Sequence, residues 1–458
     1  MSKLDENEIM LKMRKSLCLL IVVFTAFCAC NANVVEVESG LLKGVPSDAG
    51  SDVTVFKGVP FAAAPVGDLR WKAPQSAPSW KGIKVADTFG PAAWQAFSDN
   101  HEGDFYWHEF YTAGYPQVSE DCLTLDIWAP SDAVASSKLP VAVWIHGGAL
   151  QSGWSSEIEF SGEDWARSGV ILVSVNYRLA EFGFFLHPAV LEEDPQSAGN
   201  FGFLDQIAAL KWVKRNIAAF GGDPDNIMLF GQSAGAISVM QLVSSPLAEG
   251  LFSKAAMQSG GFRTDSMMGA RSVEGSLAAA KAFTDKAGTD DIQELRSLSA
   301  EEIHTIAEAA RADVPFPFPW WNTANGSSFV DFRQAYPAGA VADVPYLLGG
   351  TAGDWLGLGE GMDEFAASRA AAGGKPVYIY DFNRELPGEI QAGAFHACEL
   401  WYMFGTMEYS SRPFTDDDLR LSRDMVRYWT DFAKTGNPGG DWKAWTEENP
   451  NHMIFNAE

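Results

Sequence analysis

The sequence predicts an α/β fold, in which a mostly parallel central sheet is covered by helices on both faces. Short apolar runs recur along the 458-residue chain, and the middle runs are apolar on both faces, as is typical of strands buried between helices. Segments with helical spacing lie between these runs, and such alternation favours parallel strand pairing. Because no internal repeat or interdomain linker is evident, we expect residues 31–458 to form a single domain.

The predicted strands and helices follow from local patterns in the chain. The strands cover residues 34–37, 53–56, 125–128, 141–145, 170–175, 227–230, 346–348 and 377–380. The clearest helix covers residues 204–220, where apolar side chains recur at helical spacing. The Pro-rich aromatic segment 315–321 predicts a rigid loop that either lines a pocket or covers the core.

One strand runs directly into the sequence Gly231-Gln232-Ser233-Ala234-Gly235, and a helical run follows it. A strand that turns sharply into a helix places the central serine on a strained bend with its hydroxyl exposed. The flanking glycines remove side chains that would clash within the turn. This context favours a nucleophilic Ser233 over the alternative that this serine only caps the helix.

A nucleophilic serine needs a base, a group that orients the base, and donors for the oxyanion. Gly147 and Gly148 directly follow the predicted strand 141–145, where glycines let backbone N–H groups turn towards a carbonyl oxygen. We therefore expect the N–H groups of Gly147, Gly148 and Ala234 to form the oxyanion hole.

Many segments, in the same order, resemble type-B carboxylesterases, the cholinesterase-like branch of the α/β-hydrolase superfamily. They include residues 56–62, 120–126, 146–148, 176–179, 199–202, 220–224, 258–260 and 432–438. The resemblance implies the α/β-hydrolase fold, cleavage of small-molecule carboxylic esters through an acyl-enzyme, and no cofactor. It also implies that Ser259 supports the catalytic residues from behind, although this serine could equally end a helix.

The catalytic base is expected to be His396. In this superfamily the nucleophile, the acid and the base follow one another along the chain, which leaves His304, His396 and His452. Residues 393–400 resemble the catalytic-histidine loop of the family. His304 lies in a predicted polar helix, and His452 lies at the predicted frayed end of the chain.

The resemblance places the acid after a strand and a Gly-rich turn. Aligned from Gly349 and Gly350, Asp354 is the expected acid, and Glu360 is the alternative. Only 42 residues separate Asp354 from His396, where the family carries a much longer helical insertion. We therefore predict a shortened helical cap and a shallow, open active site. The short segment leaves open an alternative, a catalytically impaired binding or adhesion protein on the same fold.

Two further positions depart from the family pattern. Gln232 stands where the family often has Glu, a change that removes a buried carboxylate without altering the nucleophile. Cys122 corresponds to a cysteine that forms a disulfide in the family, but residues 91–95, where its partner should lie, contain no cysteine. We therefore predict that Cys122 is a buried free thiol.

The N-terminus predicts export. Three basic residues, Lys12, Arg14 and Lys15, precede the apolar stretch 17–27, which is too short to span a bilayer, so residues 1–30 are predicted to be a secretory signal. We expect a secreted or periplasmic protein without a transmembrane span, and a lipid anchor at Cys30 is an open alternative. The oligomeric state does not follow from the sequence.

The composition excludes several classes of partner. A net charge of −26 repels nucleic acid and anionic membranes. No Cys-x-x-Cys or His-Glu-x-x-His sequence occurs, and we expect no metal site.

Overall fold

The computed structural model describes residues 33–97, 101, 103–266, 268–314, 318–388 and 392–456. The predicted signal segment 1–30, including Cys30, lies outside these residues, so export and lipid anchoring stay predictions. The strands of the described residues are Val34–Val37 (β1), Gly40–Lys43 (β2), Val45–Ser47 (β3), Gly50–Pro60 (β4), Ile83–Val85 (β5), Ala92–Ala93 (β6), Val118–Ser119 (β7), Thr124–Pro130 (β8), Leu139–Ile145 (β9), Ile171–Val175 (β10), Gly222–Gln232 (β11), Lys254–Gln258 (β12), Arg271–Ser272 (β13), Thr323–Ala324 (β14), Tyr346–Thr351 (β15), Val377–Phe382 (β16) and His452–Phe455 (β17).

The α-helices of the same residues lie between and after these strands. They are Phe105–Phe110 (α1), Glu163–Arg167 (α2), Ala180–Gly183 (α3), Pro188–Glu193 (α4), Phe201–Asn216 (α5), Ala234–Val243 (α6), Val273–Ala287 (α7), Ile292–Ser297 (α8), Ala300–Ala310 (α9), Phe332–Ala335 (α10), Met362–Ala371 (α11), Leu400–Phe404 (α12) and Asp416–Thr435 (α13). No helix within the described ranges is both long enough and apolar enough to cross a membrane.

Ten strands form the central sheet, in the order β17-β16-β15-β12-β11-β9-β10-β8-β4-β3. The six pairings from β17 to β10 are parallel. The three pairings that join β10, β8, β4 and β3 at the other edge are antiparallel. The prediction of a mostly parallel sheet is therefore confirmed. The predicted strand 34–37 also forms, but as β1 it belongs to a small separate sheet with β2 and β5.

The central sheet separates two hydrophobic clusters. In β9, Val141, Val143 and Ile145 point into one cluster, and the alternating residues Ala142 and Trp144 point into the other. Helices α5 and α6 cover the first face, and α13 covers the second. A strand that is apolar on both faces requires such a double cover, which is why the middle strands carry no polar alternation.

Two details of the sequence prediction are wrong. The helix predicted over residues 204–220 begins earlier, at Phe201, and its α-helical part ends at Asn216. The turn that follows, Ile217–Phe220, is a 3₁₀ helix that Gly221 ends with a φ of 89°. His452 does not lie at a frayed end, because β17 pairs with β16 at the edge of the central sheet.

Both cysteines within the described residues, Cys122 and Cys398, are free and buried. The prediction of a buried free thiol at Cys122 is thus confirmed. Burial in apolar surroundings raises the pKa of both thiols, so neither side chain has the thiolate character of a reactive cysteine.

Candidate active site

Ser233 lies on the sharp turn that joins β11 directly to α6. Its backbone has φ 56° and ψ −124°, a conformation that L-residues rarely adopt. The backbone N–H of Ser233 donates to the carbonyl oxygen of Gln258 at 2.9 Å and ties the turn to the neighbouring strand β12. This strained strand-to-helix turn is the geometry that exposes a serine hydroxyl at the carboxyl end of a strand in a parallel sheet.

The flanking glycines are required by close backbone packing. A Cβ atom added to Gly235 would lie 2.0 Å from the carbonyl oxygen of Ile145, and one added to Gly231 would lie 2.5 Å from the carbonyl carbon of Gly235. Rigid backbone atoms cannot move away from such a contact at low cost. The two glycines therefore let α6 approach β9 closely enough to form the turn.

We expect the substitution Gly235→Ala to lower the free energy of unfolding by about 3 kcal/mol or more, because the new methyl group overlaps the β9 backbone. Urea unfolding of the purified variant measures this loss. Gly275→Ala is the matched control, since its Cβ in helix α7 would lie 3.6 Å from the nearest atom. That control should gain up to about 1 kcal/mol from helix propensity. Equal stabilities of the two variants would contradict the steric argument.

The structure brings Asp354 and His396 together. His396 Nδ1 lies 2.6 Å from Asp354 Oδ1, and both side chains are buried. Asp354 Oδ2 also accepts a hydrogen bond from the backbone N–H of Thr351 at 3.0 Å. The two loops meet because Gly353 and Phe395 form a parallel bridge, in which Gly353 N–H donates to the carbonyl oxygen of Ala394 at 2.8 Å.

The alternative acid, Glu360, lies elsewhere. Its carboxylate pairs with Arg263 at 3.3 Å, and its side chain is 59% exposed. The other two histidines considered as bases are also engaged away from Ser233. His304 Nδ1 lies 2.9 Å from Glu181, and His452 Nδ1 lies 2.8 Å from Asp381.

Gln232 contacts the nitrogen of His396 that faces away from Asp354. The Gln232 side-chain amide lies 3.2 Å from His396 Nε2, to which its N–H can donate. Sequence reasoning treated Gln232 only as a lost carboxylate and missed this contact. Its position next to Ser233 was the available signal, but the direction of the side chain depends on the turn. The contact suits a neutral imidazole whose Nδ1–H donates to Asp354.

The glycine loop lies against the serine turn. A Cβ atom added to Gly147 would lie 3.3 Å from Ser233 Cβ, and Gly148 has a φ of 92°. Within the described residues, the backbone N–H groups of Gly147 and Gly148 donate to no backbone carbonyl oxygen. Ala234 is the first residue of α6, where N–H groups lack intrahelical acceptors.

His146 holds the start of this loop. Its side chain is fully buried, and its ring Nδ1–H can donate to the carbonyl oxygen of Gly147 at 3.0 Å. The hydroxyl of Tyr177 donates to the carbonyl oxygen of His146 at 3.0 Å. Burial lowers the pKa of His146 to about 4, so the ring is neutral at neutral pH.

Ser259 lies close to Asp354 without forming a hydrogen bond to it. The residue is buried with a φ of 53°, and its Oγ has no hydrogen-bond partner within the described residues. Ser259 Oγ and Asp354 Oδ2 lie on the same side of Gly350, where an added Cβ would be 3.7 Å and 2.6 Å from them. That Ser259 supports the catalytic residues stays a prediction.

A cavity of about 400 Å³ joins these parts. Ser233, His396 and the residues Gly147, Gly148 and Ala234 all line it. Sequence reasoning missed most of the remaining wall, which includes Tyr106, Phe110, Tyr111, Glu157, Glu159 and Trp355. Within the described residues, no group of three or more His, Cys, Asp or Glu side chains could hold a metal ion.

The Pro-rich segment contributes both to the cavity and to the core. Phe318 lines the cavity, whereas Trp320 and Trp321 are buried in the core. Residues 315–317 of this segment lie outside the described residues. Between Asp354 and His396 the described residues hold only α11 and β16 as regular elements. Trp355, 51% exposed, stands at this side of the cavity. That the site is shallower than in the family stays a prediction.

Comparison with known proteins identifies the family of this chain. A profile of the Carboxylesterase family matches residues 31–364 and 358–458, which together span the chain beyond residue 30. The chain is 32% identical to para-nitrobenzyl esterase of Bacillus subtilis (strain 168), and the alignment covers 93% of this chain and 95% of that relative. It is 31% identical to Carboxylesterase 4A of Bos taurus, with 97% of this chain and 94% of that relative covered.

Solved structures show the same likeness. A structure of PNB esterase superimposes with a TM-score of 0.80 at 30% identity and covers 93% of this chain and 96% of its own. The carboxylesterase of Geobacillus stearothermophilus at pH 6.8 gives a TM-score of 0.76 at 33% identity with the same coverage. This chain therefore belongs to the carboxylesterase family, has the α/β-hydrolase fold and is a carboxylic ester hydrolase.

Proposed function

We propose that residues 31–458 form one catalytic domain that cleaves carboxylic esters through an acyl-enzyme intermediate on Ser233. The observation that carries the proposal is the 2.6 Å contact between His396 Nδ1 and Asp354 Oδ1, in a histidine that lines the same cavity as Ser233. Because His396 Nδ1–H donates a hydrogen bond to Asp354, the ring proton stays on Nδ1 and Nε2 of the neutral ring is left with a lone pair. That nitrogen is the general base.

In the first step, Ser233 Oγ attacks the ester carbonyl carbon and transfers its proton to His396 Nε2. The imidazolium that forms is stabilised by the buried Asp354 carboxylate. The Gln232 amide also donates to Nε2, so Ser233 has to displace it or share the nitrogen with it. The imidazolium then protonates the departing alcohol, and the acyl group stays on Ser233. In the second half, a water molecule gives a proton to Nε2 and attacks the acyl carbonyl carbon. The imidazolium then returns this proton to Ser233 Oγ as the bond to the acyl group breaks and the acid leaves.

The negative charge of the tetrahedral intermediate needs donors that are already in place. Gly147 and Gly148 offer backbone N–H groups beside Ser233, and Ala234 offers the first N–H of α6. The positive end of the α6 dipole adds to the favourable field at this point. Backbone donors need no reorganisation during the reaction, which is the physical advantage of building the hole from a glycine loop.

We expect diethyl p-nitrophenyl phosphate to label the protein once per chain and to abolish p-nitrophenyl acetate hydrolysis. Peptide mass spectrometry should place the diethylphosphoryl group on Ser233, because only an activated serine displaces p-nitrophenolate at a useful rate. Ser233→Ala should remain unlabelled. Labelling at another serine, or turnover that survives Ser233→Ala, would overturn the proposal. An inert, unlabelled but folded protein would instead support the binding-protein alternative.

A further inference from the structure

Two carboxyl groups in the wall of the catalytic cavity have no part in the proposed reaction. Glu157 and Glu159 flank the start of the 3₁₀ turn Ile158–Phe160, which follows the glycine loop along the chain. Both side chains line the same cavity as Ser233 and His396. Both residues are nevertheless deeply buried, with exposures of 7% and 2%.

The surrounding residues satisfy only part of the hydrogen-bonding capacity of the two carboxyl groups. Glu157 Oε1 accepts a hydrogen bond from the backbone N–H of Trp154 at 2.9 Å. The carboxyl groups of Glu157 and Glu159 also contact each other, and the phenol of Tyr111 contacts Glu157. The second oxygen of Glu159, Oε2, has no hydrogen-bond partner within the described residues. Such an orphaned buried oxygen is costly unless a ligand or water molecule satisfies it.

No basic side chain within the described ranges forms an ion pair with Glu157 or Glu159. The nearby carboxylate of Glu109 has its own partners, Arg412 at 2.8 Å and the indole N–H of Trp401 at 2.9 Å. At the cavity wall Arg311 pairs with Glu308 at 3.1 Å. Among the described residues of the wall, the only other acidic one is Asp104, which caps helix α1.

Two adjacent buried carboxyl groups tend to share one proton. Burial raises the pKa of Glu157 to about 7 and that of Glu159 well above its ordinary value. At and above neutral pH the pair therefore carries negative charge that no cation among the described residues offsets. A positively charged group on the substrate would neutralise this charge, because the cavity wall already contains the negative partner.

We propose that Glu157 and Glu159 form a subsite for an ammonium group, so that the preferred substrates are esters that carry an amine. The inference rests on the proposed function of the same cavity. An ammonium group supplies N–H donors for Glu159 Oε2, and the rings of Tyr106, Phe110 and Tyr111 in the cavity wall can stabilise its charge. The net charge of −26 also attracts cations to the protein.

The test compares hexylammonium with 1-hexanol, two probes of equal length that differ in charge. Binding is measured at pH 8 by calorimetric titration and, separately, as protection of Ser233 from diethyl p-nitrophenyl phosphate. We expect hexylammonium to bind at least about tenfold more tightly, as is typical of a buried charge-assisted hydrogen bond. Glu157→Gln should remove this preference, because Glu157 is the first of the pair to lose its proton, and Glu159→Gln should weaken it.

Glu163→Gln is the matched control. Glu163 is a buried carboxylate of the same segment, but it contacts Ser47 and Tyr409 and does not line the catalytic cavity. The ammonium preference should survive in this variant. Glutamine removes a buried charge at nearly constant shape, so we expect all three variants to fold, and thermal unfolding checks this.

Equal binding of the two probes, or an ammonium preference that survives in both Glu159→Gln and Glu157→Gln, would overturn the subsite. Tight hexylammonium binding that fails to protect Ser233 would also overturn it, because the cation would then lie outside the cavity. A failure of the proposed function looks different. In that case Ser233 resists labelling, whereas the calorimetric preference and its loss in Glu157→Gln persist.

Discussion

Asp354→Asn is expected to lower kcat for p-nitrophenyl acetate about 10⁴-fold, the loss that follows when a catalytic histidine keeps its place but loses its carboxylate. The new side-chain amide could present its NH₂ to His396 Nδ1, which would then accept rather than donate. The proton of the neutral ring would move to Nε2, and Nε2 could no longer take the proton of Ser233. The variant keeps the shape of the buried side chain, so the fold should be retained. Steady-state kinetics with circular dichroism as a folding check measure the effect.

Glu360→Gln is the control that separates the two candidate acids. Glu360 lies only six positions after Asp354 in the printed sequence, but its carboxylate pairs with Arg263 at the surface. An exposed ion pair contributes little, so we expect kcat to change less than about twofold in Glu360→Gln. A large loss in Glu360→Gln together with an active Asp354→Asn would reverse the assignment of the acid.

Glu399→Gln is expected to stabilise the protein, and increasingly so as the pH rises. Glu399 lies three residues after His396 and is fully buried. Its Oε1 accepts a hydrogen bond from Gln258 at 3.4 Å, but Oε2 has no partner within the described residues. Burial, with a smaller contribution from the charge of Asp354, raises the pKa of Glu399 from 4.5 to about 8.

The direction in which stability changes with pH follows from proton binding by Glu399. Between pH 4.5 and about 8 the folded chain keeps a proton on Glu399 that the unfolded chain has lost, so stability falls as the pH rises through this window. The full effect, reached above pH 8, is about 5 kcal/mol, and roughly two thirds of it is present at pH 7. Glutamine has no proton to lose and removes this dependence.

Unfolding free energies in urea at pH 5, 7 and 9 measure the difference between the original protein and Glu399→Gln. Only the difference is informative, because burial also raises the pKa of Asp126 to about 6 and lowers that of His146 to about 4. Glu447→Gln, at an exposed position, should show no such trend. A stability difference for Glu399→Gln that stays constant from pH 5 to pH 9 would contradict the argument.

The parts of the site that the sequence predicted best depend on contiguous residues. The turn at Ser233 could be read from a strand, two glycines and a helix because the steric demand arises within about ten residues. The structure shows the same demand as an overlap of an added Gly231 Cβ with the Gly235 carbonyl carbon. The order of strands and helices could be predicted for a similar reason. A strand that is buried on both faces is a continuous apolar run, and this run can be recognised in each strand separately.

The contacts between distant segments were not readable in this way. Asp354 and Glu360 belong to the same Gly-rich loop and carry the same chemical group. Only the bridge between Gly353 and Phe395 turns one carboxylate towards His396, while Arg263 holds the other at the surface. The direction of the Gln232 side chain is likewise set by the strained turn, and no local pattern predicts it.

The sequence by itself determined the family, the α/β architecture and the residue types available for ester hydrolysis. The tertiary structure decided which carboxylate meets the imidazole and which charges share the cavity, with Glu157 and Glu159 as the clearest case. The physical reason is one of range. Steric and burial patterns act between neighbours in the chain, whereas hydrogen bonds and uncompensated charges depend on distances that exist only after distant loops have packed together.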